Sequence, residues 1–194
     1  MRAIWRLILS LIFFAVAAAA NAQETPKWSD MDCSQSKIEG GPAGLKCRAT
    51  QEYSGGSSSA GKVGGNPGVI GTFRHWSKFR TIDGVKYFYF LKEATTTGSN
   101  ILPMALQQAL KDYAPAAKGA RDFTEVAPIS GGEYLRFADL EGEKCIATRK
   151  MGTTAGPGNR WYLMGTKCVP SGRTISDADV ISFLASVNAP RAGF

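Results

Sequence analysis

The sequence predicts an α+β domain in which an antiparallel sheet built from β-hairpins carries two main helices and is stapled by disulfides. Three observations lead there. Asp83-Gly84 stands between two runs rich in β-branched and aromatic residues, the strongest short-range hairpin signal. Two later segments repeat apolar residues every three or four positions, as one face of a helix does. Four cysteines, an even number, occur in a chain that opens like an exported one.

The elements follow in order. Arg2 and Arg6 precede an apolar run from Leu7 to Ala20, and Ala20-Asn21-Ala22 is a small-residue cleavage site, so residues 1–22 read as a signal peptide cleaved before Gln23. The run is shorter than the roughly 20 residues a spanning helix needs, and no later stretch is a transmembrane candidate. The remaining 172 residues suit one domain. They carry 21 basic and 16 acidic residues, a mild excess of +5 with the signs interspersed. A nucleic-acid binder would show a dense basic stripe instead, so no nucleic-acid partner is expected. The absence of any N-x-S/T sequon fits a bacterial periplasmic or secreted product.

Residues 23–52 read as an irregular segment turned at Gly40-Gly41-Pro42 and tied down by a disulfide. Of three formal connectivities the sequence-local pairs are favoured, Cys33 with Cys47 and Cys145 with Cys168, each closing a loop worth about 3 kcal/mol. Zinc is disfavoured because there is no C-x-x-C and the only histidine lies 28 residues from Cys47. Neither a metal nor a cofactor is expected. Residues 53–71 form a Gly/Ser-rich loop, too poor in apolar groups to offset its ordering entropy. Within it, Gly56 to Lys62 matches the spacing of a phosphate-binding loop, but Val63 replaces the required hydroxyl and no strand or helix pattern flanks it.

The α+β core spans 72–194. A two-residue turn at Asp83-Gly84 sets Arg80 opposite Tyr87, Lys78 opposite Tyr89, Trp76 opposite Leu91 and Arg74 opposite Glu93 on one face. The other face carries Phe79 opposite Phe88, Ser77 opposite Phe90 and His75 opposite Lys92. A helix follows, capped by Ser99 or Asn100, with Pro103 in its first turn and Leu102, Leu106, Leu110 and Tyr113 along one side, ending before Pro115. A short strand, 123–129, leads to a second hairpin across Glu141-Gly142. That turn places Ala138 opposite Cys145, Asp139 opposite Lys144 and Glu133 opposite Lys150, with Leu135, Phe137 and Ile146 on the buried side. A further strand runs through Asn159 to Val169, and a last helix opens at Thr174 or Ser176 with Asp177 and Asp179 in its first turn.

The functional candidates are few. Arg74, Lys78, Arg80, Tyr87 and Tyr89 make a basic, aromatic sheet surface, the composition that binds proteins or anionic groups. The same residues also read as cross-strand pairs decorating an exposed sheet. His75 is the only conventional base near neutral pH, with Ser77 on its face but no G-x-S-x-G elbow and no acidic orienter. Asp83, Glu93, Glu125, Glu133, Asp139, Glu141 and Glu143 offer carboxylates for hydrolysis without singling out a pair. No catalytic residue is assigned. The expectation is therefore an exported, non-enzymatic domain binding a protein or an anionic envelope component, with a small secreted hydrolase as the alternative.

Overall fold

The computed structural model describes residues 27–56, 70–96, 99, 101, 104–153 and 159–189. Residues 1–22, positions 57–69 of the loop expected over 53–71 and the helix-start positions 100, 102 and 103 lie outside them; the two ends of that expected loop are strand instead, with Tyr53 to Gly56 pairing antiparallel with Phe73 to Ile70.

The hairpin is the centre of the molecule. β5 (Ile70–Ile82) and β6 (Val85–Ala94) are joined by Asp83 and Gly84, whose φ values of 49° and 77° are the left-handed pair that a tight two-residue hairpin demands. The register runs from Ile82 opposite Val85 through Arg80–Tyr87, Lys78–Tyr89 and Phe79–Phe88 to Phe73 opposite Ala94, the pairing that the turn implies.

Around this hairpin the chain is mostly antiparallel sheet. The other strands are β1 (Trp28–Met31), β2 (Glu39–Gly40), β3 (Lys46–Thr50), β4 (Tyr53–Gly56), β7 (Ala127–Ile129), β8 (Gly132–Ala138), β9 (Lys144–Thr153), β10 (Asn159–Val169) and β11 (Val187–Asn188). The main sheet has the order β1-β3-β5-β6-β10-β9-β8-β7, with β4 also pairing β5, while β11 and β2 form a separate ribbon. Two helices accompany it, α1 (Leu106–Tyr113) and α2 (Asp177–Ala185).

Both faces of the sheet are buried. α1 lays Leu106, Ala109 and Leu110 against Phe73, Phe90, Leu135, Phe137, Ala147 and Met164. On the opposite face Val180 and Phe183 of α2, with Ile38 and Val187, cover Trp76, Tyr89, Leu91, Ile146 and Leu163. Such a sheet shows no polar face along its strands. The β2–β11 ribbon is held over that second face by lysines reaching up from the sheet. Lys150 Nζ donates to the Val187 carbonyl at 2.8 Å, and Lys78 Nζ donates to that of Gly40 at 3.3 Å.

Both expected disulfides form, Cys33–Cys47 and Cys145–Cys168. Four other expectations need correction. Residues 23–52 are not irregular as a whole: β1 and β3 join the main sheet, because Cys47, Ala49 and Thr50 are buried there. The first helix starts at Leu106 with Ala105 as its uncapped N-terminus, since the Ser99 hydroxyl is engaged by the Thr72 amide at 2.9 Å and Ile101 bridges to Asn159. The strand expected over 123–129 narrows to Ala127–Ile129.

The second hairpin slips by one residue. Ala138 pairs with Lys144, Phe137 with Cys145 and Glu133 with Arg149, where a two-residue turn would set Ala138 opposite Cys145, Asp139 opposite Lys144 and Glu133 opposite Lys150. Asp139 causes this: its Oδ1 accepts from the amides of Glu141 and Glu143 at 3.0 and 2.9 Å, and its own amide donates to the Glu143 carbonyl. Side chains alternate, so a one-residue slip changes the face. Leu135 and Phe137 pack under α1, whereas Ile146 packs under α2.

Candidate functional site

The five residues of the expected basic aromatic surface share one sheet face, and that face is the one covered by α2 and the β2–β11 ribbon. Tyr89 is 0% exposed, stacked on Phe183 with ring centroids 5.3 Å apart, and burial pushes its phenol up to about 12. Lys78 is buried beneath Gly40, and burial lowers its pKa. Arg74 lies over the Trp76 ring at 4.3 Å and donates from Nε to the Thr50 carbonyl at 3.0 Å. Only Arg80 is fully exposed, donating to the Gly44 carbonyl, and Tyr87 is half-buried. The expected solvated face is thus replaced by packing contacts, because a second layer covers it.

His75 sits on the other face, 4% exposed, in a cage of rings: Tyr53 at 5.1 Å, Phe90 at 4.9 Å, Tyr113 at 5.7 Å and Trp28 at 6.1 Å between centroids. Its Nε2 is hydrogen-bonded to the Tyr53 hydroxyl at 2.7 Å, and its backbone amide donates to Thr50 Oγ1. Burial first, and the Lys92 ammonium second, push the imidazole down to about 3, so the ring is neutral near pH 7. Its side-chain hydrogen-bond partner is a phenol, and among the described residues no carboxylate orients it. This is the environment of a structural histidine.

Beside that cage the same face opens into a groove of about 730 Å³. Strand parity places its parts. Arg48 pairs with Ser77, Phe79 with Phe88 and Phe88 with Thr166, so these side chains rise from one sheet face. They form the floor. Trp28 closes one end, and Tyr113, stacked on Phe90 at 4.4 Å, forms the adjoining wall with Pro115 and Ala116. Leu140, 74% exposed on the β8–β9 turn, forms the rim beyond Gly119.

The charges around the groove differ in how far they are satisfied. Lys86 is saturated: Asp139 and Glu143 lie 3.2 and 3.0 Å from its ammonium, and Glu141 contacts it more closely still. Hydrogen bonds to Glu141, and then to Glu143 and Asp139, raise its pKa against the opposing effect of burial. These three carboxylates converge as a cation site would, and the lysine head supplies the positive charge. Arg48 is less satisfied. Its Nε is buried and lies 2.9 Å from the Asp30 carboxylate, but without the alignment of a good hydrogen bond, and Asp30 itself is exposed. Lys118, which precedes Gly119 near the Leu140 rim, is exposed.

Sequence reasoning missed Trp28, Arg48 and Tyr113 as neighbours. The alternation in Lys46-Cys47-Arg48-Ala49-Thr50 was the available sign of a strand with Arg48 on its own face; nothing in the sequence brings β1 and the end of α1 together. No family model, curated protein or solved structure matches this chain.

Proposed function

We propose that this chain is an exported, non-enzymatic binding domain that recognises an anionic envelope component through the groove beside α1. The observation that carries this reading is a ring-lined groove of about 730 Å³ with the partly exposed Arg48 in its floor, bridged at 2.9 Å to the exposed Asp30. Ligand sites of this size are commonly apolar, with a few polar groups that fix orientation. A guanidinium engages a carboxylate or phosphate through two parallel N–H donors, which the exposed Asp30 contact does not use well. Two disulfides suit an oxidising compartment. Among the described residues, no helix is long and apolar enough to cross a membrane.

The test is capture from an envelope extract by the immobilised, naturally processed protein, with bound lipid, glycan and protein identified by mass spectrometry. An anionic component held by the wild type, lost with Arg48→Ala and held more tightly by Asp30→Asn supports the groove. Equal capture by all three proteins, or none by the wild type, overturns it.

A further inference from the structure

The groove also constrains what kind of molecule fills it. Its charges are largely engaged within the fold: Arg48 by Asp30, Lys86 by three carboxylates and Arg80 by the Gly44 carbonyl. No one sign dominates, so charge alone does not choose the ligand. The hydroxyls differ. Ser77 and Thr166 are 4% and 1% exposed, both line the groove, and neither hydroxyl is hydrogen-bonded within the described residues. A hydrocarbon or a bare aromatic ring seated here would shut both away from water without a partner. A ligand carrying its own hydroxyls satisfies them.

Strand geometry sets the spacing of these groups. Phe88 pairs with Phe79 on one side and with Thr166 on the other, while Ser77 lies on β5 two residues before Phe79. Ser77 and Thr166 are thus two strands and two residues apart, about 12 Å by sheet spacing, with Phe88 between them. Trp28 and Tyr113 supply rings at the sides, and Thr81 and Glu141 add exposed polar groups. A pyranose has an apolar C–H face and a polar hydroxyl edge, and this alternation of rings with hydroxyls and carboxylates matches both.

A peptide finds less. Beyond Phe79, β5 has no β3 partner, but Ile82 and Val85 flank the two-residue turn and bond each other. Over Arg80–Ile82 only Thr81 therefore turns its amide and carbonyl outward, too short a template for strand addition.

Resting on the binding role proposed above, we propose that the ligand is an oligosaccharide, with two linked pyranose rings against Phe79 and Phe88 and their hydroxyls bonded to Ser77 and Thr166. Two linked rings span the interval between these residues, and one does not. Arg48 is the cross-strand neighbour of Ser77, so the acidic group which that role calls for falls beside the ring at the Ser77 end.

An array of neutral and uronic-acid saccharides, from mono- to hexasaccharides, probed with the naturally processed protein tests this. The expected result is saturable binding of a uronic-acid oligosaccharide, with the matching monosaccharide about tenfold weaker or more. Thr166→Val keeps the side-chain shape and removes its hydroxyl. It is expected to weaken that binding several-fold to about tenfold, while the urea midpoint stays at or above that of the wild type because an unpaired buried hydroxyl is gone. Trp28→Ala, at a partly exposed site, is expected to weaken binding several-fold with an unchanged far-ultraviolet spectrum. Undiminished binding by both Thr166→Val and Ser77→Ala overturns the proposal, as does equal binding of the monosaccharide. If no saccharide binds while Arg48-dependent capture from the envelope extract persists, the sugar is removed and the binding role stands. Failure of both removes the groove as a site.

Discussion

At the scale of the residue, His75 couples the fold to pH. Folded, its imidazole is pushed down to about 3 by burial and by Lys92, while an unfolded histidine titrates near 6.5. Between those values the unfolded chain takes up a proton that the folded one refuses, so stability is present above pH 6.5 and is lost as the pH falls. The slope is about 1.4 kcal/mol per pH unit, or about 2 kcal/mol between pH 6.5 and 5. Urea titrations across that range are expected to show it in the wild type and to show a flatter profile in His75→Gln; parallel profiles would mean that other groups govern acid sensitivity. That His75 lies on the apolar face opposite Lys92 was legible from the hairpin alone. That Tyr53, Trp28 and Tyr113 close over it was not, because they arrive from three separate elements.

At the scale of the element, two hairpins show where local rules hold and where they yield. Asp83-Gly84 takes the left-handed turn that its residues favour, and every pairing along β5 and β6 follows. Glu141-Gly142 is a similar sequence signal, but the carboxylate of Asp139 caps two turn amides and lengthens the loop, so β9 meets β8 one residue out of the expected register. The helices divide in the same way. α2 is capped by Ser176, one of the two caps expected, whose hydroxyl accepts from the Asp179 amide while Asp179 returns the contact. α1 begins later than its apolar periodicity suggests, because Ser99 is drawn into a bond with Thr72.

Contact between sheet and α2 also sets a limit that no propensity reveals. A Cβ on Gly165 would lie 2.9 Å from the Tyr89 ring and 3.0 Å from that of Phe183. Gly165→Ala is therefore expected to destabilise by about 1–3 kcal/mol through forced movement of the Tyr89–Phe183 stack. A denaturation midpoint equal to that of the wild type would show that the stack shifts freely.

At the scale of the whole molecule, the two disulfides hold different parts of the structure. Cys33–Cys47 ties the chain between β1 and β2 onto β3, while Cys145–Cys168 joins directly opposed residues of β9 and β10 under α1. Replacing the second pair in Cys145→Ser/Cys168→Ser is expected to cost about 2–5 kcal/mol, measured by urea denaturation without reductant. An unchanged midpoint would mean that the flanking strand pairs already hold that region in place.

The sequence by itself determined the α+β class, the cysteine pairing, the β5–β6 register and the position of α2, because each depends on residues close together in the chain: a turn pair, a cap, or a short loop closed by two thiols. Only the tertiary structure decided what covers each face of the sheet. Arg74, Lys78, Arg80, Tyr87 and Tyr89 alternate as an exposed face would, and Phe79, Phe88 and Phe90 as a core face would. Yet α2 and the β2–β11 ribbon cover the first set, and α1 leaves a groove over part of the second. Strand periodicity reports that two faces differ, whereas their burial depends on where distant helices dock. That docking is a property of the assembled layers.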